Sequence, residues 1–220
     1  VSAVVPAARF GSGGAQPWAA ALRGGPPALE LVPLDPAERS EPLDVQRWSA
    51  MADAADLAAL DGLRGPLLDV GCGPGRMVRA ALDAGMQAWG LDADPAAVAT
   101  CRAAGLPVLR RSVFDPLPLE GSWASLLLLD GNVGIGGDVT AMFTRCAELL
   151  RPGGALVVEA HPDPTRDVAA LWRVRGAAGD SDPFPWSQVG LPALLRAADG
   201  FDLERVSERD GRWFAHLRAL

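Results

Sequence analysis

Between Pro66 and Glu159 the chain alternates short runs dominated by apolar residues with segments of helical period. Leu67–Val70, Gln87–Leu91, Pro107–Arg110, Leu126–Leu129 and Leu156–Glu159 have the near-continuous apolar character of strands covered on both sides. Between them, Pro74–Ala84 and Pro95–Ala104 predict helices stopped by Gly85 and Gly105, the second opened by Asp94 or Pro95, and Asp138 is placed to cap a helix through Leu150. Pro152-Gly153-Gly154 reads as the turn into the fifth strand. Strands regularly separated by helices predict an α/β fold, a doubly wound and mostly parallel sheet with helices on both faces. A helix over Leu191–Ala198 leads to Phe201–Glu208 and Arg212–Leu217, which flank Asp210-Gly211; this is the signal of an antiparallel hairpin ending the sheet.

The flanks are less regular. Residues 1–46 are rich in Gly, Pro and Ala, with an apolar patch at Trp18–Leu22 and a strand-like run at Ala28–Val32, and predict an N-terminal extension with a short helix and a hairpin packed on the core. Ser49–Leu60 carries an apolar stripe at i, i+3, i+4 spacing and reads as one helix ended by Gly62. Trp172–Trp186, with Pro183 and Pro185, reads as a long connection.

At 220 residues, with 49% hydrophobic and 21% charged positions, the chain is expected to form one elaborated globular domain. The net charge of −7 disfavours nucleic acid as a partner, although all 20 basic residues are Arg. Three cysteines without a CxxC argue against a disulfide framework and against a metal site. The longest uncharged stretches, Phe10–Leu22 and Pro183–Leu195, are 13 residues each and carry Gly and Pro, so no membrane association is expected. One Arg, an early Pro and no compact apolar segment at the start lead to the expectation of a cytoplasmic protein. Lys and Tyr are absent and Asn132 and Ile135 stand alone, which suits a GC-rich source.

The candidate chemistry begins at Asp69-Val70-Gly71-Cys72-Gly73-Pro74-Gly75, a strand-to-helix turn where main-chain amides are free and glycine lets a ligand approach closely. The spacing is not the GxGxxG of a pyrophosphate turn, and an acidic residue precedes it. Asp92 ends the next strand, 17 residues after Gly75, where a carboxylate can accept both hydroxyls of a ribose.

With Gly90-Leu91-Asp92-Ala93-Asp94-Pro95 and Leu149-Leu-Arg-Pro-Gly-Gly-Ala-Leu-Val-Val-Glu159 added, the chain resembles a class I S-adenosylmethionine-dependent methyltransferase, of the actinobacterial small-molecule type. The resemblance covers about residues 45–220 and implies a methyltransferase domain over 47–220. It also implies seven strands in the order 3-2-1-4-5-7-6, with strand 7 antiparallel. The implied cofactor is S-adenosylmethionine, yielding S-adenosylhomocysteine, without a metal. Gly71, Cys72, Gly73 and Gly75 would hold its methionine part, Asp69 would organise the turn, and Asp92 with Ala93 would bind the ribose. At the adenine stand Ser112, Val113 and Phe114: either Asp115 takes the amine, or the main chain of Val113 and Phe114 reads the ring edge while Phe114 packs on it. Few residues separate strands three and four, so the helix between them should be short or missing. Asp130, Gly131 and Asn132 would run under the sulfonium; alternatively this Gly-rich loop only permits the turn. Arg47 either reaches the cofactor carboxylate or is solvated beside a structural Trp48.

A small-molecule acceptor is expected, because the loop after strand four lacks the Asn/Asp-Pro-Pro-aromatic motif of many nucleic-acid amino methyltransferases; acceptor atom and oligomeric state stay open. His161 and Asn132 are the catalytic candidates, His161 as a general base unless it is a surface-loop histidine, while His216 reads as structural. Trp186, Phe184 and Arg173 are candidates for the substrate wall of a lid, against ordinary loop anchoring. The rival functions are an S-adenosylmethionine-binding protein without transfer activity and a nicotinamide-dependent oxidoreductase.

Overall fold

A computed structural model describes residues 9–220, so the first eight residues of the expected extension lie outside the described residues. The N-terminal part contains α1 (Pro17–Leu22), β1 (Ala28–Pro33), β2 (Glu41–Asp44), α2 (Val45–Ser49) and α3 (Ala54–Ala59). The central part runs β3 (Leu67–Val70), α4 (Arg76–Asp83), β4 (Ala88–Asp92), α5 (Pro95–Ala103), β5 (Val108–Arg110), β6 (Trp123–Leu128), α6 (Val139–Leu149) and β7 (Leu150–Ala160). The C-terminal part holds β8 (Asp167–Gly176), β9 (Gly179–Asp180), β10 (Phe184–Val189), α7 (Leu191–Ala197), β11 (Phe201–Arg209) and β12 (Arg212–Ala219).

The main sheet has seven strands in the order β11-β12-β7-β6-β3-β4-β5. All neighbours from β7 to β5 are parallel, and β12 runs antiparallel between β7 and β11. This is the expected order with its antiparallel strand. Both faces are buried, and alternate residues of one strand enter different cores: Leu126 and Leu128 pack with Phe143 and Leu156 on one face, Leu127 and Leu129 with Met77 and Phe214 on the other. No helix forms between β5 and β6.

Three expectations need correction. The stripe Ser49–Leu60 does not make one helix: α2 ends at Ser49, the chain is extended at Asp53, and Asp53 starts α3 through a reciprocal capping box with Asp56. Pro152–Gly154 is not a turn but lies within β7, whose start is bent out of register with β6 between Trp123 and Ser125. Trp172–Trp186 is not a loop. Strands β8 and β10 pair with each other, β8 pairs with β1, and β1 with β2, so the N-terminal hairpin completes a second sheet, β10-β8-β1-β2, with β9 on β8. Pro185 is tolerated because β10 is an edge strand, as is the Pro42-bearing β2 at the other edge. This sheet has its own apolar cluster, including Trp18, Leu29, Leu31, Trp172, Val174 and Phe184.

Candidate functional site

A cavity of about 630 Å³ lies where the carboxyl ends of the main-sheet strands meet the second sheet. Its floor is built at β3, β4 and β6, next to the point where strand order reverses, and its roof comes from α1, β1, β2, α2 and β10. An isolated pairing of Ile135 with Trp186 and another of His161 with Gly190 tie the two sheets together around it.

The glycine turn is held from two sides. Asn132 spends both amide hydrogens on the carbonyls of Val70 and Gly71, at 2.9 and 3.0 Å. Asp92 accepts from the Gly73 amide at 2.9 Å and, through its other oxygen, from the Asp94 amide at 2.8 Å. Asp94, not Asp92, caps α5, by accepting from Ala96 and Ala97. Gly73 has φ +53°, and a Cβ there would meet only the Trp18 ring, at 3.8 Å, so it leaves the turn open to the cavity.

Asp69 is buried below this turn, and no side-chain hydrogen bond joins it to the turn among the described residues. Its carboxyl is pushed up to about 7, chiefly by burial, with the charge of Asp130 adding and Arg76 opposing. Burial also pushes Asp92 up to about 6, against the lowering effect of its amide hydrogen bonds from Asp94 and Gly73.

Behind Asp130 lies a charged network. Arg76 is buried and donates to Asp56 and Asp130, both at 2.5 Å. Arg212 reaches Asp56 at 2.8 Å and both oxygens of Glu159 at 2.8 and 2.9 Å, while Glu159 also accepts from the Asp130 amide. Arg47 closes the group from α2 by donating to Asp130 at 2.6 Å. Its remaining terminal nitrogen, Nη1, and the indole Nε1 of neighbouring Trp48 are buried with no hydrogen-bond partner among the described residues.

The cavity is lined by most of the expected cofactor residues: Asp69, Gly71, Cys72, Gly73, Asp92 and Ala93 from the first two strand ends. Ser112, Val113 and Phe114 follow at the β5 end, with Asp130, Gly131, Asn132 and Arg47 on the far side. Gly75 is an exception. It stands at the start of α4, with φ +94°, and a Cβ there would come within 2.5 Å of Leu106 and 2.9 Å of Cys101, so its role is packing. Cys72 packs beside Val78, Cys101 and Leu106. Asp115 accepts from the Ser112 amide and so shapes the loop after β5.

Of the substrate candidates, Trp186 lines the cavity and the other two do not. Phe184 is buried behind it, and Arg173 is turned to Asp180 at 3.1 Å, because both belong to the second sheet and not to a mobile lid. The catalytic candidates are also constrained. Asn132 has no free amide hydrogen, so it positions the turn. His161 lines the cavity with Nδ1 accepting from the Asp163 amide at 3.1 Å and Nε2 at 3.4 Å from Glu41; its proton therefore sits on Nε2, toward Glu41. This occupies the lone pair a general base would use. His216 is buried at 2.9 Å from Ser207, and burial lowers it to about 4, in keeping with a structural role. Glu41, Trp18, Phe10 and Gln188 also line the site. Sequence reasoning missed them because only pairing between β1 and β8, more than a hundred residues apart, brings them there.

Residues 68–158 match the family described as methyltransferase domain. No curated protein matches the chain. Among solved structures, the S-adenosylmethionine-dependent methyltransferase from Bacteroides fragilis, in complex with S-adenosyl-L-homocysteine, is similar with 21% identity, a TM-score of 0.76 and 94% of each chain covered. The 1,6-didemethyltoxoflavin-N1-methyltransferase from Burkholderia thailandensis is similar at 19% identity and TM-score 0.56, over 76% of this chain and 77% of that one. An amino pentose methyltransferase from Micromonospora echinaspora is similar at 21% identity and TM-score 0.54, over 76% and 87%. The fold around the methyltransferase domain is thus that of class I S-adenosylmethionine-dependent methyltransferases. Among the described residues no helix is long and apolar enough to cross a membrane, and no group of three or more His, Cys, Asp or Glu is placed to hold a metal.

Proposed function

We propose that this chain is an enzyme that transfers a methyl group from S-adenosylmethionine to a small-molecule acceptor in the cytoplasm, without a metal, nucleic acid or membrane partner. The observation that carries the reading is the open glycine turn tethered to Asp92, facing a cavity with unpartnered donors on Arg47 and Trp48. These groups fit the cofactor: Asp92 retains lone pairs for ribose hydroxyls, Arg47 and Trp48 offer donors to a carboxylate, and Asp69 and Asp130 offer negative charge to an ammonium or sulfonium. Ser112, Val113 and Phe114 are assigned to the adenine, and Gly71, Cys72, Gly73, Ala93, Gly131 and Asn132 to the walls and turn of the cofactor site. Residues 1–46 would pack on a domain of residues 47–220 and roof the site.

When bound, S-adenosylmethionine supplies a methyl group on a positively charged sulfur that is already activated for in-line displacement. The chain's own contribution is alignment and exclusion of water. Asn132 and Asp92 fix the turn, the Arg47–Asp130–Arg76 group fixes the floor beside it, and Trp18, Trp48 and Trp186 cover it. Among the similar proteins, the 1,6-didemethyltoxoflavin-N1-methyltransferase and the amino pentose methyltransferase favour a compact nitrogen-bearing acceptor here. Incubation with methyl-labelled S-adenosylmethionine and candidate acceptors, with mass detection of S-adenosylhomocysteine and product, tests the reading. Labelled product is expected; cofactor binding without turnover on any acceptor would mark a binding protein instead.

A further inference from the structure

The roof side of the cavity has a composition of its own. Phe10, Trp18, Trp48 and Trp186 form a continuous aromatic wall, with ring centroids 5.8 Å apart for Phe10 and Trp18, 5.6 Å for Trp18 and Trp48, and 5.4 Å for Phe10 and Trp186. Glu41, His161 and Gln188 line the same cavity and belong to one hydrogen-bonded chain. Arg166 donates twice to Gln188 Oε1, at 2.9 and 2.6 Å, which turns the Gln188 amide nitrogen onto Glu41 at 2.8 Å. On the other side Asp163 donates to His161 Nδ1, which directs the His161 proton toward Glu41 at 3.4 Å. The pair with His161, together with the Gln188 and Arg166 contacts, holds the Glu41 carboxyl below the usual carboxylate range. Glu41 is thus an oriented anion on the cavity wall with about a third of its side chain still accessible, 34%.

Among the described residues no arginine that lines the cavity pairs with Glu41. Of the arginines that line the cavity, Arg47 and Arg76 are engaged by Asp130, Arg9 reaches the Ala93 carbonyl, and Arg111 donates to the Pro116 carbonyl on the adenine side. Arg166 is held away by Glu38 and Gln188. Arg166 stands 3.9 Å from Glu41 but does not line the cavity, so an anionic acceptor there would face the carboxylate, whereas a donor would complete the carboxylate's shell against aromatic faces that attract cations.

Resting on the methyltransferase reading, we infer that the acceptor is a flat, largely apolar molecule that presents an N–H or ammonium donor to Glu41 and carries no anionic group near it, Glu41 being the residue that determines specificity. Gln188 and His161 position Glu41.

Three probes with one ring and different charge test this: tryptamine, indole and indole-3-acetate, titrated by ligand-observed NMR against protein saturated with S-adenosylhomocysteine, for the wild type and Glu41→Gln. Tryptamine is expected to bind about tenfold tighter than indole-3-acetate, and Glu41→Gln to remove that preference while leaving affinity for S-adenosylhomocysteine unchanged. Equal or tighter binding of indole-3-acetate, an undiminished preference in Glu41→Gln, or no binding of any probe overturns the inference. Failure of S-adenosylhomocysteine itself to bind would instead overturn the methyltransferase reading. Glu41→Asp, which keeps the charge, is expected to retain the preference, so that a Glu41→Gln protein that failed to fold would still leave a decisive comparison with the wild type across the three probes.

Discussion

Arg47 of α2 donates to Asp130, at the end of the fourth strand of the parallel series, across 2.6 Å, and this pair joins the roof of the cavity to its floor. Both side chains are partly exposed, so the pair alone is worth about 1 kcal/mol or less. Arg47→Met is therefore expected to move the denaturant midpoint little while weakening S-adenosylhomocysteine by at least about tenfold, since the unpartnered Nη1 is lost with it. Calorimetry and urea unfolding on the same variant check both halves.

Asp56 behaves differently. It is fully buried and satisfies Arg76 and Arg212 together, so Asp56→Ala leaves the buried Arg76 and the partly buried Arg212 short of their partner. A loss of about 3–5 kcal/mol is expected, read as a lowered midpoint in urea. A change below about 1 kcal/mol would mean that the network is wet in solution.

The turn itself is tested by Gly73→Ala. The left-handed backbone at φ +53° costs an added Cβ about 1–2 kcal/mol, and the methyl then stands in the space assigned to the cofactor. Stability should fall modestly and affinity for S-adenosylhomocysteine by more than about tenfold, as measured by calorimetry.

Much of this architecture was legible in advance because the main sheet is buried on both faces: Leu126–Leu129 and Leu156–Glu159 announce themselves as apolar runs, and Asp94 and Asp138 mark their helices. The second sheet was not legible. In β8, Trp172 and Val174 are buried while their neighbours are more open, and β10 carries Pro185, so that local pattern reads as loop until β1 supplies the partner. The residues proposed for the cofactor come from one contiguous motif and Asp92, and most of them line the cavity, while Gly75 does not because it packs against Leu106 and Cys101, which leaves no mark in the sequence. The part of the cavity around Glu41 draws Glu41, His161 and Gln188 from three distant segments, and nothing local connects them.

Burial of Asp69 and Asp92 gives stability and binding opposite dependences on pH. Their folded-state values of about 7 and about 6 lie above the ordinary 3.8, so the stability they contribute is fully present below 3.8 and is lost as pH rises toward 7. Asp69→Asn should flatten the midpoint-against-pH profile between pH 4 and about 7, by removing the larger of the two shifts. A cationic cofactor favours the ionised carboxylates, so wild-type affinity for S-adenosylmethionine should rise from pH 6 to pH 8 with release of protons, measurable by calorimetry in buffers of different ionisation heat.

The central claim is that the turn at Gly73 and the carboxylate of Asp92 hold a sulfur nucleoside. Calorimetric titration of S-adenosylhomocysteine and of NADH into the wild type and Asp92→Ala tests it directly. The account expects binding of S-adenosylhomocysteine in the micromolar range, no binding of NADH, and a loss of at least about tenfold in Asp92→Ala, each hydrogen bond to the charged carboxylate being worth roughly 1.5–3 kcal/mol before desolvation. Because Asp94 caps α5, the variant's unfolding free energy should fall by only about 1–2 kcal/mol, from the unpaired Gly73 and Asp94 amides. Binding of NADH with neither S-adenosylhomocysteine nor S-adenosylmethionine bound would contradict the account.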